Sequence, residues 1–285
     1  MSKKPKHDLA NLPENFKTLF SHTTNRIRRF GNAMTLVDVS FLMNRIVFNA
    51  DFGDVNKNSQ VESLRKLIYE GFNSKRSFVD NKMQELEENH VEYIEDLYAH
   101  ALINLWISLE SLVKQLITNL IKYDERILSA SSFKKVSVPI GELFALPDDD
   151  RSAYLTDIIL ANLKCGPSHG IKKFECSLDA FGLSGSFNSK YEKQILELHI
   201  LRNCIVHNDS TVDNRLRTQC AWLGYKLGDK IVITKDRFHE YETAVLAYIA
   251  EIFYRLNKEF GAPEVFLDIL KEKIEDAFSD SNEAT

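Results

Sequence analysis

One run of apolar residues constrains this chain more than any other feature. Val91, Ile94, Leu97, Tyr98, Ala101, Leu102, Leu105, Leu109, Leu112, Leu116 and Leu120 recur at steps of three and four. That rhythm puts them on one stripe of an α-helix, which turns once in about 3.6 residues. Trp106, Val113 and Ile117 widen the stripe, so two faces of the helix need cover from other elements. The pattern predicts a mainly α-helical bundle built around this segment. Asn104, Glu110 and Lys114 interrupt the apolar run from Ala101 to Ile121. The segment therefore reads as a core helix, and no other stretch is apolar for long enough to cross a bilayer.

The remaining segments are read against that helix. The first ten residues look like a disordered basic lead, and no apolar stretch of the kind a secretion signal needs follows them. Phe16 to Phe48 reads as helical, Asp51 to Ser59 as a loop and Val61 to Phe72 as a short helix. Residues 128–188 are irregular, broken by Pro139, Pro147 and Cys165-Gly-Pro-Ser-His-Gly170. They look like an insertion between two main helices, with one helix over Arg151 to Leu163. Ser189 and Glu192 have capping-box spacing and open a second strong helix. Ile195, Leu198, Leu201 and Ile205 form its stripe, and Asn208-Asp-Ser210 ends it. Trp222 to Thr234 is rich in β-branched and aromatic residues. It predicts two short strands turning at Gly228-Asp229. Arg237 to Phe260 is a third strong helix, with Tyr241, Ala244, Val245, Tyr248, Ile249, Ile252 and Leu256 on one face. Phe266 to Phe278 reads as a terminal helix before a mobile tail. The expected organisation is an N-terminal helical extension over 1–80, a helical domain over 81–260 containing the insertion, and a C-terminal helix and tail over 261–285.

Bulk charge limits the function. The 285 residues carry a formal net charge of −5, which argues against coating nucleic acid through overall positive charge. A local basic site is still compatible with it. Arg26, Arg28 and Arg29 read as a solvated helix face in preference to an RNA contact. The four cysteines, Cys165, Cys176, Cys204 and Cys220, show no CxxC spacing. They read as reduced thiols of a cytoplasmic protein, with Cys204 a small apolar filler. Cys165, Cys176 and His169 lack the second close pair a zinc site wants, and Asp148 to Asp150 lacks the spaced ligands of a calcium loop. No metal and no cofactor is expected.

The chemistry concentrates at Leu201-Arg-Asn-Cys-Ile-Val-His-Asn208, at the end of the second strong helix. Arg202 can bind a phosphate oxygen through its guanidinium fork. A histidine titrates near neutrality, so His207 can transfer protons. Asn203 can bond a phosphate or orient His207 one turn away. His199, Asn203 and His207 are four residues apart and share a face. His199 and His207 lie about 12 Å apart along the axis, too far for one metal ion. RNA carries its own nucleophile in the 2′-hydroxyl, so an arginine and a histidine without a metal cage suit RNA cleavage better than DNA cleavage.

Arg202-Asn-Cys-Ile-Val-His207 resembles the Arg-x4-6-His motif of the HEPN superfamily in its Arg-Asn-x-x-x-His form. Trp106-Ile-Ser-Leu-Glu110 is similar to the Trp-x-x-Leu-Glu segment often found on an early helix of that family. The resemblance spans about residues 85 to 260. It implies a HEPN-like helical bundle, with a small β-hairpin and a closing helix after the motif. It also implies a metal-independent endoribonuclease whose two Arg/His motifs face one groove of a homodimer. Arg202 would stabilise the scissile phosphate, His207 would transfer protons and Asn203 would position either one. RNA would be the substrate. An antitoxin or an antiphage-defence protein would be the partner. In one branch a tyrosine two residues after the histidine is nucleotidylated; here that position is Asp209, which speaks against that control.

A second class of function fits the same residues: a non-catalytic RNA-binding or dimerisation scaffold. In that reading Arg202 pairs with a carboxylate of the long helix, with Glu110 the candidate, and His207 caps its own helix. Glu110 is alternatively a group that orients Arg202, or a surface carboxylate. His199 is a packed or solvent-facing helix residue, or an RNA contact.

Overall fold

In the computed structural model, residues 14–49, 76–123, 136–163, 165, 169–259, 264, 267–269 and 271–272 are described, the side chains of 35–49, 76–92, 123 and 149 excepted. Eight helices follow one another among them: α1 Glu14–Asn49, α2 Arg76–Tyr123, α3 Ile140–Ala145, α4 Asp148–Asn162, α5 Ile171–Asp179, α6 Ser189–His207, α7 Asn214–Gln219 and α8 Lys235–Glu259. A single 3-10 turn, Ala221–Leu223, lies between α7 and α8. No described helix is long and apolar enough to cross a membrane. The expected loop at Asp51–Ser59, the helix at Val61–Phe72 and most of Phe266–Phe278 lie outside the described residues, as does the basic lead.

The stripe on α2 becomes the centre of the bundle. Every stripe residue from Tyr98 to Leu120 is buried, as are Trp106, Val113 and Ile117 on the widened face. Leu97 departs from the pattern and is 40% exposed. With two faces to cover, α2 packs against α1, α4, α6 and α8. Helix α8 meets the expectation closely: its seven predicted face residues are all buried, and it lies against α6 as well as α2.

Helix α1 packs on both α2 and α8. Phe16, Leu19, Phe20, Ile27 and Met34 belong to the same core cluster as the α2 and α8 residues, and the Phe20 ring lies 5.0 Å from that of Phe253 on α8. The expected extension is thus, over its described part, a wall of the bundle. Its weak patterning has a simple cause: only a narrow stripe is covered, and Arg26, Arg28 and Arg29 stay exposed on the opposite side.

Three local expectations are corrected. Helix α6 is capped by Asn188, whose side chain accepts from the Lys190 amide at 2.9 Å, so Ser189 is the first helical residue and not the cap. The two strands predicted in Trp222–Thr234 do not form. Val212 donates to the Asp229 carbonyl, Gly228 to Val212 and Ile231 to Ser210, at 2.9, 3.0 and 2.7 Å. The segment thereby pairs with the linker that follows α6, through the isolated antiparallel bridge Thr211–Lys230. The buried Ile231 and Ile233 satisfy the alternating pattern by packing into the core. Finally, Cys165 and Cys176, expected as thiols, form a disulfide. It closes a loop of separation 11, which a chain-entropy account values at about 3 kcal/mol. Cys204 and Cys220 are buried free thiols, and burial raises both, Cys220 to about 12.

The expected insertion is therefore structured. Helix α4 covers one side of α2, and α5 is tied to α8 by a polar clasp. The buried Arg255 guanidinium donates to Glu175 of α5 at 2.8 Å, to Glu251, and to the carbonyls of Leu183 and Ser186. The Tyr248 hydroxyl donates to Glu175 at 2.7 Å. Removing Phe20 tests the place of α1. Phe20→Ala should cost about 3 kcal/mol in urea unfolding, whereas an appended extension would leave the transition of the rest unchanged.

Candidate functional site

The last two turns of α6 bring the motif to the surface. Leu198, Leu201 and Cys204 face the core at 2% exposure or less, which turns Arg202, Asn203, Val206 and His207 outward. Arg202 and Asn203 are half-buried and His207 is exposed. Arg202 Nη1 donates to Asn203 Oδ1 at 3.0 Å, so the Asn203 side chain engages the guanidinium. Arg202 Nε is buried and has no hydrogen-bond partner. His207 has no hydrogen-bond or ion-pair partner among the described residues.

The chain turns sharply after the motif. Asp209 and Ser210 both have positive φ, 47° and 54°, a left-handed conformation that costs about 1–2 kcal/mol per residue. The Asn208 side chain donates to the Thr211 carbonyl at 2.7 Å and the Thr211 amide to the Asn208 carbonyl at 2.8 Å. This turn stops the helix at His207 and leaves the imidazole at an open end.

His199 is packed against the core. It is 9% exposed, stacked on the Trp106 indole at 4.5 Å with 4° between the planes. Its Nδ1 accepts from the Gly170 amide at 2.9 Å, which places the ring proton on Nε2. Gly170 has φ 58° and ψ −138°. A Cβ there would lie 2.9 Å from the Leu196 Cα, so only glycine lets the loop backbone approach α6 this closely. Burial holds the His199 pKa down at about 4, with the charges of Arg215, His169, Lys173 and Arg202 adding to the effect.

Glu110 does not reach Arg202. Its carboxylate takes the Lys173 ammonium of α5 at 2.9 Å, in a partly exposed pair. The ion pair considered for Arg202 is therefore absent. Three further residues border His199. The His169 ring lies 5.6 Å from it, and Arg215 Nη2 is 2.8 and 3.0 Å from the two His169 nitrogens. Lys173 is the third. The sequence had one pointer to them: His169 sits beside the glycine that α6 requires. Arg215, on a short helix just past the motif, carried no signal.

Among the described residues no group of three or more His, Cys, Asp or Glu side chains is placed to hold a metal ion. Compared with protein-family models, with curated proteins and with solved structures, the chain matches none.

The environment of His199 fixes a pH dependence. Its folded pKa is below the ordinary value of 6.5, so between pH 6.5 and 4 the unfolded chain binds a proton that the folded chain refuses. Stability present above pH 6.5 is lost as pH falls to 4, by about 3 kcal/mol from this group. Urea titrations across that range should show a shallower loss for His199→Gln, which keeps an acceptor for Gly170. Superimposable curves for the two proteins would contradict the assignment.

Proposed function

We propose that this chain is a metal-independent endoribonuclease of the HEPN kind, acting as a homodimer. One observation carries the reading. Among the described residues, the motif presents an exposed histidine with no partner beside a half-buried arginine whose Nε is unsatisfied. A motif kept for structure alone would be expected to have the half-buried arginine fully bonded within the bundle.

The reaction follows from the chemistry of RNA. A base removes the proton of the 2′-hydroxyl, the 2′ oxygen attacks phosphorus, the bond to the 5′ oxygen breaks, and an acid protonates that leaving oxygen. The products are a 2′,3′-cyclic phosphate and a 5′-hydroxyl. Arg202 offsets the charge that builds on the non-bridging oxygens, and Asn203 holds the guanidinium in place. A single imidazole serves as base or as acid at any one moment. Two copies of His207 facing one groove would divide the roles. A protein that halts growth by cutting RNA needs restraint, so an antitoxin or defence-system partner belongs to the same proposal.

His207→Ala should slow cleavage of single-stranded RNA by at least about 100-fold with an unchanged unfolding midpoint, and Arg202→Ala by a comparable factor. EDTA should have no effect, and the 5′ fragment should end in a 2′,3′-cyclic phosphate. Equal cleavage by wild type and His207→Ala would sink the catalytic reading. A wild-type dimer that binds RNA and cuts none would establish the scaffold reading in its place.

A further inference from the structure

The motif does not end at α6. Arg202 and Arg215 are both half-buried, and neither has a carboxylate partner among the described residues. Arg215 leans on the His169 ring at 2.8 Å, and His169 lies 5.6 Å from His199, three residues from Arg202 on the same helix. Glu110 and Asp213 are both engaged elsewhere. Glu110 holds Lys173 at 2.9 Å, and Asp213 Oδ1 caps α7 by accepting from the Leu216 amide at 2.7 Å. Partly buried guanidinium groups are ordinarily paired, because desolvated charge without a counter-ion is costly. Here two of them border one neutral imidazole.

The described elements around them are tied together. Gly170 seats against α6, the Cys165–Cys176 disulfide joins Cys165 to α5, and the Arg255–Glu175 clasp holds α5. Arg215 is carried by α7, which the Asp213 cap and a Gly228–Val212 backbone bond hold beside the end of α6. The positive charge therefore sits on a preformed surface, which lowers the entropic cost of binding a ligand.

We infer that Arg215, steadied by His169, forms a phosphate subsite next to Arg202 and takes the phosphate that flanks the scissile one in single-stranded RNA. The inference rests on the ribonuclease reading, and it deepens it. Substrate would be gripped at two successive phosphates, so a strand is preferred to a mononucleotide. Arg215 suits the task because its fork can donate to His169 and to a phosphate oxygen at once. His199, neutral above its low pKa, adds no further charge beside the two arginines.

The test uses binding of a short 2′-O-methyl oligoribonucleotide, which cannot be cut because its 2′ oxygen carries no proton. Fluorescence anisotropy of wild type and Arg215→Gln across a salt series should show about tenfold weaker binding for the variant. The slope of log affinity against log salt should be shallower by about 0.7, the value for one phosphate contact on a single strand. Arg215→Lys should keep the slope, since it keeps the charge. A measurement on wild type alone guards against a misfolded variant: the oligonucleotide should shift the NMR signals of the Arg215 Nε–H and the His169 ring. Equal affinity and slope for wild type and Arg215→Gln, or unmoved signals, would overturn the subsite. Shifts produced by inorganic phosphate with none from the oligonucleotide would overturn it too, since the anion would not belong to a strand. The ribonuclease reading fails separately. If Arg215-dependent binding is intact while His207→Ala cuts RNA like wild type, the subsite stands and the catalytic assignment does not.

Discussion

A helix that is apolar around most of its girth is stable only when other elements surround it. Helix α2 imposes that condition on this chain. Its stripe and its Trp106–Val113–Ile117 face are both buried, and α1, α4, α6 and α8 supply the cover. Burial of a large aliphatic or aromatic side chain is worth about 1.5–3 kcal/mol, so each turn of α2 left bare would cost several such contributions. The arrangement of the motif helix follows from the same condition. α6 must turn Leu198, Leu201 and Cys204 inward, which leaves Arg202, Asn203 and His207 nowhere to go but out.

The packing also creates the electrostatics of the site. Trp106 serves the core on one side and the His199 imidazole on the other. Gly170 then seals the imidazole by hydrogen-bonding Nδ1. A protonated His199 would stand among Arg202, Arg215 and Lys173 in a desolvated place, and the neutral form wins. The cations keep their charge because guanidinium does not give up a proton in proteins. The surface next to the motif is thus positive while the protein as a whole carries a net charge of −5. Global charge and local charge answer different questions.

Local patterning was legible wherever one helix face met one core. The buried residues of α2 and α8 could be read almost singly from their spacing. The motif could be read too, because a polar trio interrupting an apolar helix is conspicuous. Elements whose partner lies far along the chain were harder. The Trp222–Thr234 stretch has strand chemistry, yet its hydrogen bonds go to Ser210 and Val212 instead of closing a hairpin on themselves. Composition reports a preference for extended backbone and says nothing about which segment supplies the partner. The cysteines mislead in the same way. Spacing does not announce that Cys165 and Cys176 come to a Cα separation of 5.6 Å; the course of the chain into α5 decides it. Glu110 was a reasonable partner for Arg202 until Lys173 of α5 took it.

By itself the sequence determined that the chain is helical, that α2 lies at its centre, and that Arg202, Asn203 and His207 share one end of one helix. Those properties depend on periods of three and four residues, which are local. Only the tertiary structure decided that α1 is a wall of the bundle, that His199 is sealed and neutral, and that Arg215 and His169 stand beside the motif. Each of those outcomes depends on contacts between residues tens of positions apart. No periodicity encodes such contacts, because they are settled by which packed arrangement buries the most apolar surface while leaving the fewest polar groups without partners.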